Sequence, residues 1–143
     1  MVRGAALNRL FGERWVAVGV AVELGTGLLL IIRPSLIARL LLDAELSAPG
    51  SALGRFTGIA LFALALACWP RGGAEGGPAL WAMSFFSALT TLYLASLGVA
   101  GGVGGILLWP AVALHGALTI LLGRAWLKGK SGRLTRDLGG MKR

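Results

Sequence analysis

Two side chains in this chain of 143 residues could trade a proton, Glu23 and His115. A carboxyl and an imidazole within reach of one another form an acid–base pair. Each sits near the middle of a long apolar run, Glu23 in the first and His115 in the last. Thr119 follows His115 by one helical turn on the same face. A third run adds Ser84, Ser87 and Thr91 at helical spacing, with Thr90 alongside. Three segments therefore bring polar groups to one level. The sequence predicts a hydrogen-bonded cluster of Glu23, His115 and Ser87 or Thr91, with Thr119 beside it.

Plainer uses of these residues stay open. Serine and threonine in helices commonly bond their own backbone. A lone histidine in an apolar run is often a satisfied core residue. Glu23 is harder to assign to packing, because a charged group at the bilayer centre costs about 3 kcal/mol on insertion scales. It must face the interior, and it must find a partner or carry a proton. Both a titrating role and a polar clasp that fixes helix register satisfy that demand. Arg55 is the obvious partner by charge, but depth argues against it. Glu23 lies about 14 Å from the end of its run and Arg55 about 3 Å from the end of the next. Arg55 is expected instead to close the outer side of the interior or to snorkel to the surface.

The elements that hold these residues follow from composition. The chain is 56% hydrophobic and only 14% charged, with mean hydropathy +0.78, whereas soluble domains carry about 25% charged residues. Its apolar runs approach the roughly 20 residues that a bilayer-spanning helix needs. Four spans are predicted, over 15–32, 53–69, 79–99 and 106–126, in an all-α integral membrane four-helix bundle of one domain. Pro34, Pro70 and Pro78 mark span ends. Short Gly-rich connections at 71–77 and 100–105 make sequential helices antiparallel neighbours.

Between the first two spans, residues 35–45 read as a short amphipathic helix lying in the interface. Leu36, Ile37, Leu40, Leu41 and Ala44 share one side, and Ser35, Arg39 and Asp43 the other. Ser47 to Ser51 then turn the chain into the second span. Gly19, Glu23 and Gly27 fall on one face of the first span, and Gly54 and Gly58 form a G-x-x-x-G pair, expected to pack the protein's own helices.

Charge sets the expected direction. The net charge is +8. The side shared by both termini holds eleven basic residues, against three (Arg33, Arg39 and Arg55) on the other. The positive-inside rule places both termini in the cytoplasm, with the chain in a bacterial inner membrane. Trp15, Trp69, Trp81 and Trp126 fall at the inner interface and Trp109 at the outer one. Lys128, Lys130, Arg133 and Arg136, in a basic tail over 127–143, are expected to dock anionic lipid or an acidic partner. The basic excess belongs to topology, since no nucleic-acid-reading motif accompanies it. The first run lacks a small-x-small cleavage site before Arg33, so it is expected to stay as a span and not to be removed as a signal peptide. A single cysteine, Cys68, supplies neither an internal disulfide nor a cysteine-based metal site and is expected to behave as a small buried hydrophobe. One histidine also leaves a b-type haem short of an axial ligand, so no metal or haem is expected, while a quinone or lipid ligand stays open.

The four-span layout, Arg14 just before the first span, and the run Gly27-Leu-Leu-Leu-Ile-Ile-Arg-Pro34 resemble the small DoxX-like four-helix membrane proteins. The stretch Leu53-Gly-Arg-Phe-Thr-Gly-Ile-Ala-Leu61 resembles their second span. The resemblance implies an accessory role beside quinone-linked or redox membrane complexes.

Three functions follow as expectations. The first is a non-catalytic accessory or assembly subunit of a larger membrane complex, suggested by small size and by the lack of a readable catalytic motif. The second is a small oligomeric proton-coupled transporter, with Glu23 titrating and His115 relaying. The third is a membrane enzyme acting on a lipid or quinone, although no nucleophile–base–orienter set is readable. The expected partners are membrane lipid and other membrane subunits, with a homo-oligomer also open.

Overall fold

The structure is a computed structural model that describes residues 2–69, 77–102 and 104–140, with side chains placed for 12–69, 78–102 and 104–127. The described residues form five helices: α1 (Val2–Ile32), α2 (Pro34–Leu42), α3 (Ala48–Ala67), α4 (Gly77–Ala100) and α5 (Leu108–Gly140). Four of them are long and apolar enough to cross a membrane, over Gly12–Ile32, Ala48–Ala67, Pro78–Ala100 and Leu108–Leu127. The protein is an all-α integral membrane four-helix bundle, with the short α2 between its first two spans.

The helix ends differ from the expected ones for local reasons. Helix α1 runs unbroken from Val2, because the stretch before Trp15 carries polar residues and two glycines but no proline. Helix α3 begins at Ala48, not at 53. Ser47 caps it by accepting a hydrogen bond from the Gly50 amide at 3.3 Å. Pro49 stands in the first turn, where its missing N–H costs nothing. The segment expected to turn is thus the first turn of the helix. Helix α2 stops at Leu42, short of the expected 45, because Asp43 adopts the left-handed conformation with φ 52°, which aspartate tolerates better than most residues. Arg39 then ion-pairs with Glu45 beyond the helix end. Helix α5 continues to Gly140, so most of the segment read as a tail is helical. The 71–77 connection lies outside the described residues, apart from the Gly77 backbone.

Antiparallel pairing is realised most fully within two pairs, α1 with α3 and α4 with α5, and the two pairs join mainly through α1 and α5. Helices α3 and α4, although consecutive, make at most glancing contact. The core reflects this: Val16 and Val20 of α1 meet Ala65 and Cys68, Met83 of α4, and Leu118 and Leu122 of α5. Only 11% of the membrane-length window of α3 is buried, against 28% for α1 and for α5.

Close backbone approach explains the α1–α3 pair. A methyl group on Gly58 would stand 2.6 Å from the Gly27 carbonyl oxygen, and one on Gly27 would stand 2.8 Å from that of Gly58. Gly54 lies against Pro34 in the same seam. The G-x-x-x-G pair therefore packs the protein's own helices.

Helix α2 meets the bundle through Pro34 and Ala38, which are buried. Of the residues expected to share the apolar side, Leu36 is exposed, while Ile37, Leu40 and Leu41 are half-buried. Small residues allow close contact at Pro34 and Ala38, so the larger apolar side is turned partly outward. The loop before α5 docks on the end of α2: the Gly105 amide donates to the Leu41 carbonyl at 3.1 Å, and the Leu107 amide to the Leu40 carbonyl at 2.8 Å. Carbonyls at a helix C-terminus lack intrahelical partners, and these two amides supply them.

Candidate functional site: a buried carboxyl–imidazole pair

Helices α1 and α5 carry Glu23 and His115 to the same level of the bundle. The His115 Nδ1 lies 4.0 Å from Glu23 Oε1, and the two side chains are 3% and 10% exposed, glutamate first. Small neighbours allow the approach. Gly19, one turn before Glu23, lets α1 settle on Met83 of α4, and Gly116 brings α5 against Thr91. Glu23 thus faces the bundle interior, as a carboxyl in a span must.

The separation is longer than a direct hydrogen bond, which needs about 2.7–3.2 Å. The His115 Nδ1 is buried and makes no hydrogen bond among the described residues. The Phe86 ring meets the imidazole edge-on at 6.2 Å between centroids. Phe86 carries no polar atom, so polar-residue reasoning passes over it, yet its position next to Ser87 places it beside the polar level.

The hydroxyls divide between two roles. Ser87 is fully buried at the level of the pair. Among the described residues no hydrogen bond joins it to Glu23 or His115. Thr91 donates to the Ser87 carbonyl at 2.7 Å, and Thr119 to the His115 carbonyl at 2.8 Å. Both therefore bond their own helices. Ser84 reaches across to the Thr119 carbonyl at 3.4 Å and tethers α4 to α5. The geometry is a juxtaposed pair with buried hydroxyls nearby, where a continuous network was expected.

Arg55 lies on the exposed surface of α3, and no ion pair links it to Glu23 among the described residues. The lysines and arginines at 128, 130, 133 and 136 fall on the continuation of α5, where side chains lie outside the described residues. No cluster of three or more His, Cys, Asp or Glu that could hold a metal occurs among the described residues.

Chemically, the pair can share a proton or fix helix register, and both uses need only these two residues. Compared with known proteins, the chain matches no family model, no curated protein and no solved structure.

Proposed function

We propose that the protein is a non-catalytic accessory or assembly subunit of a larger membrane complex. In this reading it sits in a bacterial inner membrane with both termini in the cytoplasm, and its kinship is with the DoxX-like proteins. The observation that carries the reading is the open flank of the bundle. Helix α3 buries only 11% of its window, and it barely touches α4. Phe56 and Ile59 of α3 and Phe85 and Leu89 of α4 are left exposed. A flank of this kind offers another membrane helix a surface beyond lipid contact. Glu23 and His115 then serve as the clasp that holds the two helix pairs together.

The test is a photo-crosslinking residue at Phe56 or Phe85 in the tagged chain, expressed in its native membrane. Extraction in mild detergent should give one discrete crosslinked partner in fixed ratio. Crosslinks to lipid alone, with the chain eluting as a lone monomer, would overturn the proposal. Reporter fusions at both termini check the orientation.

A second reading, proton-coupled transport by an oligomer, draws on the 4.0 Å separation and the unpartnered Nδ1 of His115. Glu23→Gln in proteoliposomes should then abolish proton-dependent flux. Unchanged flux would remove the basis of that reading.

A further inference from the structure

A shallow groove runs along α1 to one side of the Glu23–His115 pair, with the exposed Ala17 and Ala21 on its floor. Ala17, Val20, Ala21 and Leu24 line it, Trp69 forms one wall, and its volume is about 170 Å³. Ala17 and Ala21 stand at i and i+4, so their small side chains leave a channel along the helix. Trp69 follows the end of α3 and leans over that channel.

Arg14 lies on the same face of α1, three residues before Ala17 and seven before Ala21. At 1.5 Å per residue it is about 4.5 Å along the axis from Ala17 and about 10 Å from Ala21. It stands at the very end of the membrane-length window Gly12–Ile32, while the groove lies inside the window. Its side chain is exposed, and no ion pair engages it among the described residues. Glu13 is adjacent in sequence, but neighbours one residue apart do not face each other on a helix. The Trp69 indole is half exposed, and its N–H makes no hydrogen bond among the described residues.

We propose that this groove binds one anionic phospholipid. An acyl chain lies over Ala17, Ala21 and Leu24 against Trp69, and the phosphate sits at the Arg14 guanidinium. The order of the parts matches the order in a lipid: a cation at the end of the span where the headgroup lies, and an apolar channel inside it where the chain begins. Guanidinium pairs with phosphate oxygens in bidentate fashion. A zwitterionic lipid would fill the same channel, but its quaternary ammonium opposes the arginine. This site is independent of the accessory-subunit reading, because it lies on α1 and needs no protein partner.

The full chain, purified in mild detergent and delipidated, is offered phosphatidylglycerol or phosphatidylcholine, and retained lipid is counted by native mass spectrometry. Wild type should retain phosphatidylglycerol about fivefold over phosphatidylcholine, the preference that one basic residue near the surface confers. Arg14→Gln should remove that preference. Arg124→Gln, which changes an exposed arginine near the end of the membrane-length window of α5, should leave it intact. Ala21→Trp should lower retention of both lipids, and Trp69→Ala, at an exposed position, tests the channel wall if Ala21→Trp fails to fold. A wild type without preference would overturn the proposal. So would an Arg14→Gln protein that keeps it, equal losses from Arg14→Gln and Arg124→Gln, or retention unaltered by both groove variants. A second copy of the chain bound in place of lipid would also overturn it.

Discussion

Glu23 of α1 and His115 of α5 face each other at 4.0 Å across the main seam between the two helix pairs. Neither residue has another charged partner among the described residues. If the pair clasps the bundle, its members must be energetically coupled. A double-mutant cycle of Glu23→Ala and His115→Ala, read by unfolding in mixed micelles, should give a coupling of about 0.5–1.5 kcal/mol, the range for polar contacts between membrane helices. Each single change should destabilise by about 1–3 kcal/mol, because it empties a packed site and strands the other group. Additive single effects would remove the clasp.

Gly27 and Gly25 lie two residues apart in α1 and should respond in opposite ways to the same substitution. A methyl group at Gly27 would come within 2.8 Å of the Gly58 carbonyl oxygen and 3.1 Å of the Phe62 nitrogen, both backbone atoms. One at Gly25 meets nothing within 4 Å. Gly27→Ala should force α1 and α3 apart and lower stability by about 1–3 kcal/mol. Gly25→Ala should leave stability unchanged or raise it by about 0.5–1 kcal/mol, since alanine restricts the unfolded chain. Thermal unfolding of the two variants in one detergent decides the matter, and equal shifts would contradict the backbone contact.

The same glycines show how far the sequence could be read. Four apolar runs and the short α2 were legible, because hydropathy and length alone identify a span. The common level of Glu23 and His115 was legible too, since rise per residue converts position into depth. Depth does not say which helices touch. Only the three-dimensional packing makes α3 a peripheral element that barely meets α4. The hydroxyls illustrate the same limit. Thr91 and Thr119 stand at the expected level, but each has a carbonyl one turn back on its own helix, and that local acceptor takes the bond. The start of α3 was misplaced because Ala48-Pro49-Gly50 reads as a turn, whereas Ser47 in front of it supplies the cap. Arg14 entered the sequence reading as one of the eleven basic residues on the side of the termini, and its alignment with the Ala17–Ala21 channel emerged once Trp69 was placed beside that channel.

Arg39 and Glu45 form an ion pair at the end of α2, with side chains 63% and 79% exposed. Exposed pairs are screened and order two long side chains for little gain. Arg39→Gln should therefore shift stability by less than about 0.5 kcal/mol, and the shift should vanish in high salt. Thermal unfolding at low and high ionic strength measures both. A loss comparable with that of Gly27→Ala would mean that the pair closes a structural junction.

Gly105 and Leu107 provide the last test, because their amides terminate α2 from a distant part of the chain. The Gly105 amide donates to Leu41 at 3.1 Å and the Leu107 amide to Leu40 at 2.8 Å. Gly105 is buried against the backbone of Leu40 and Leu41, where a side chain would collide with main-chain atoms. Both amides should exchange slowly with deuterium in wild type, although they lie outside any regular helix. Gly105→Val should release the loop, making both amides exchange at least about tenfold faster, as a contact worth about 1.4 kcal/mol requires. Helix α2 should loosen with it, since its last carbonyls lose their donors. Fast exchange at Gly105 and Leu107 already in wild type would show that the loop does not hold α2 in place.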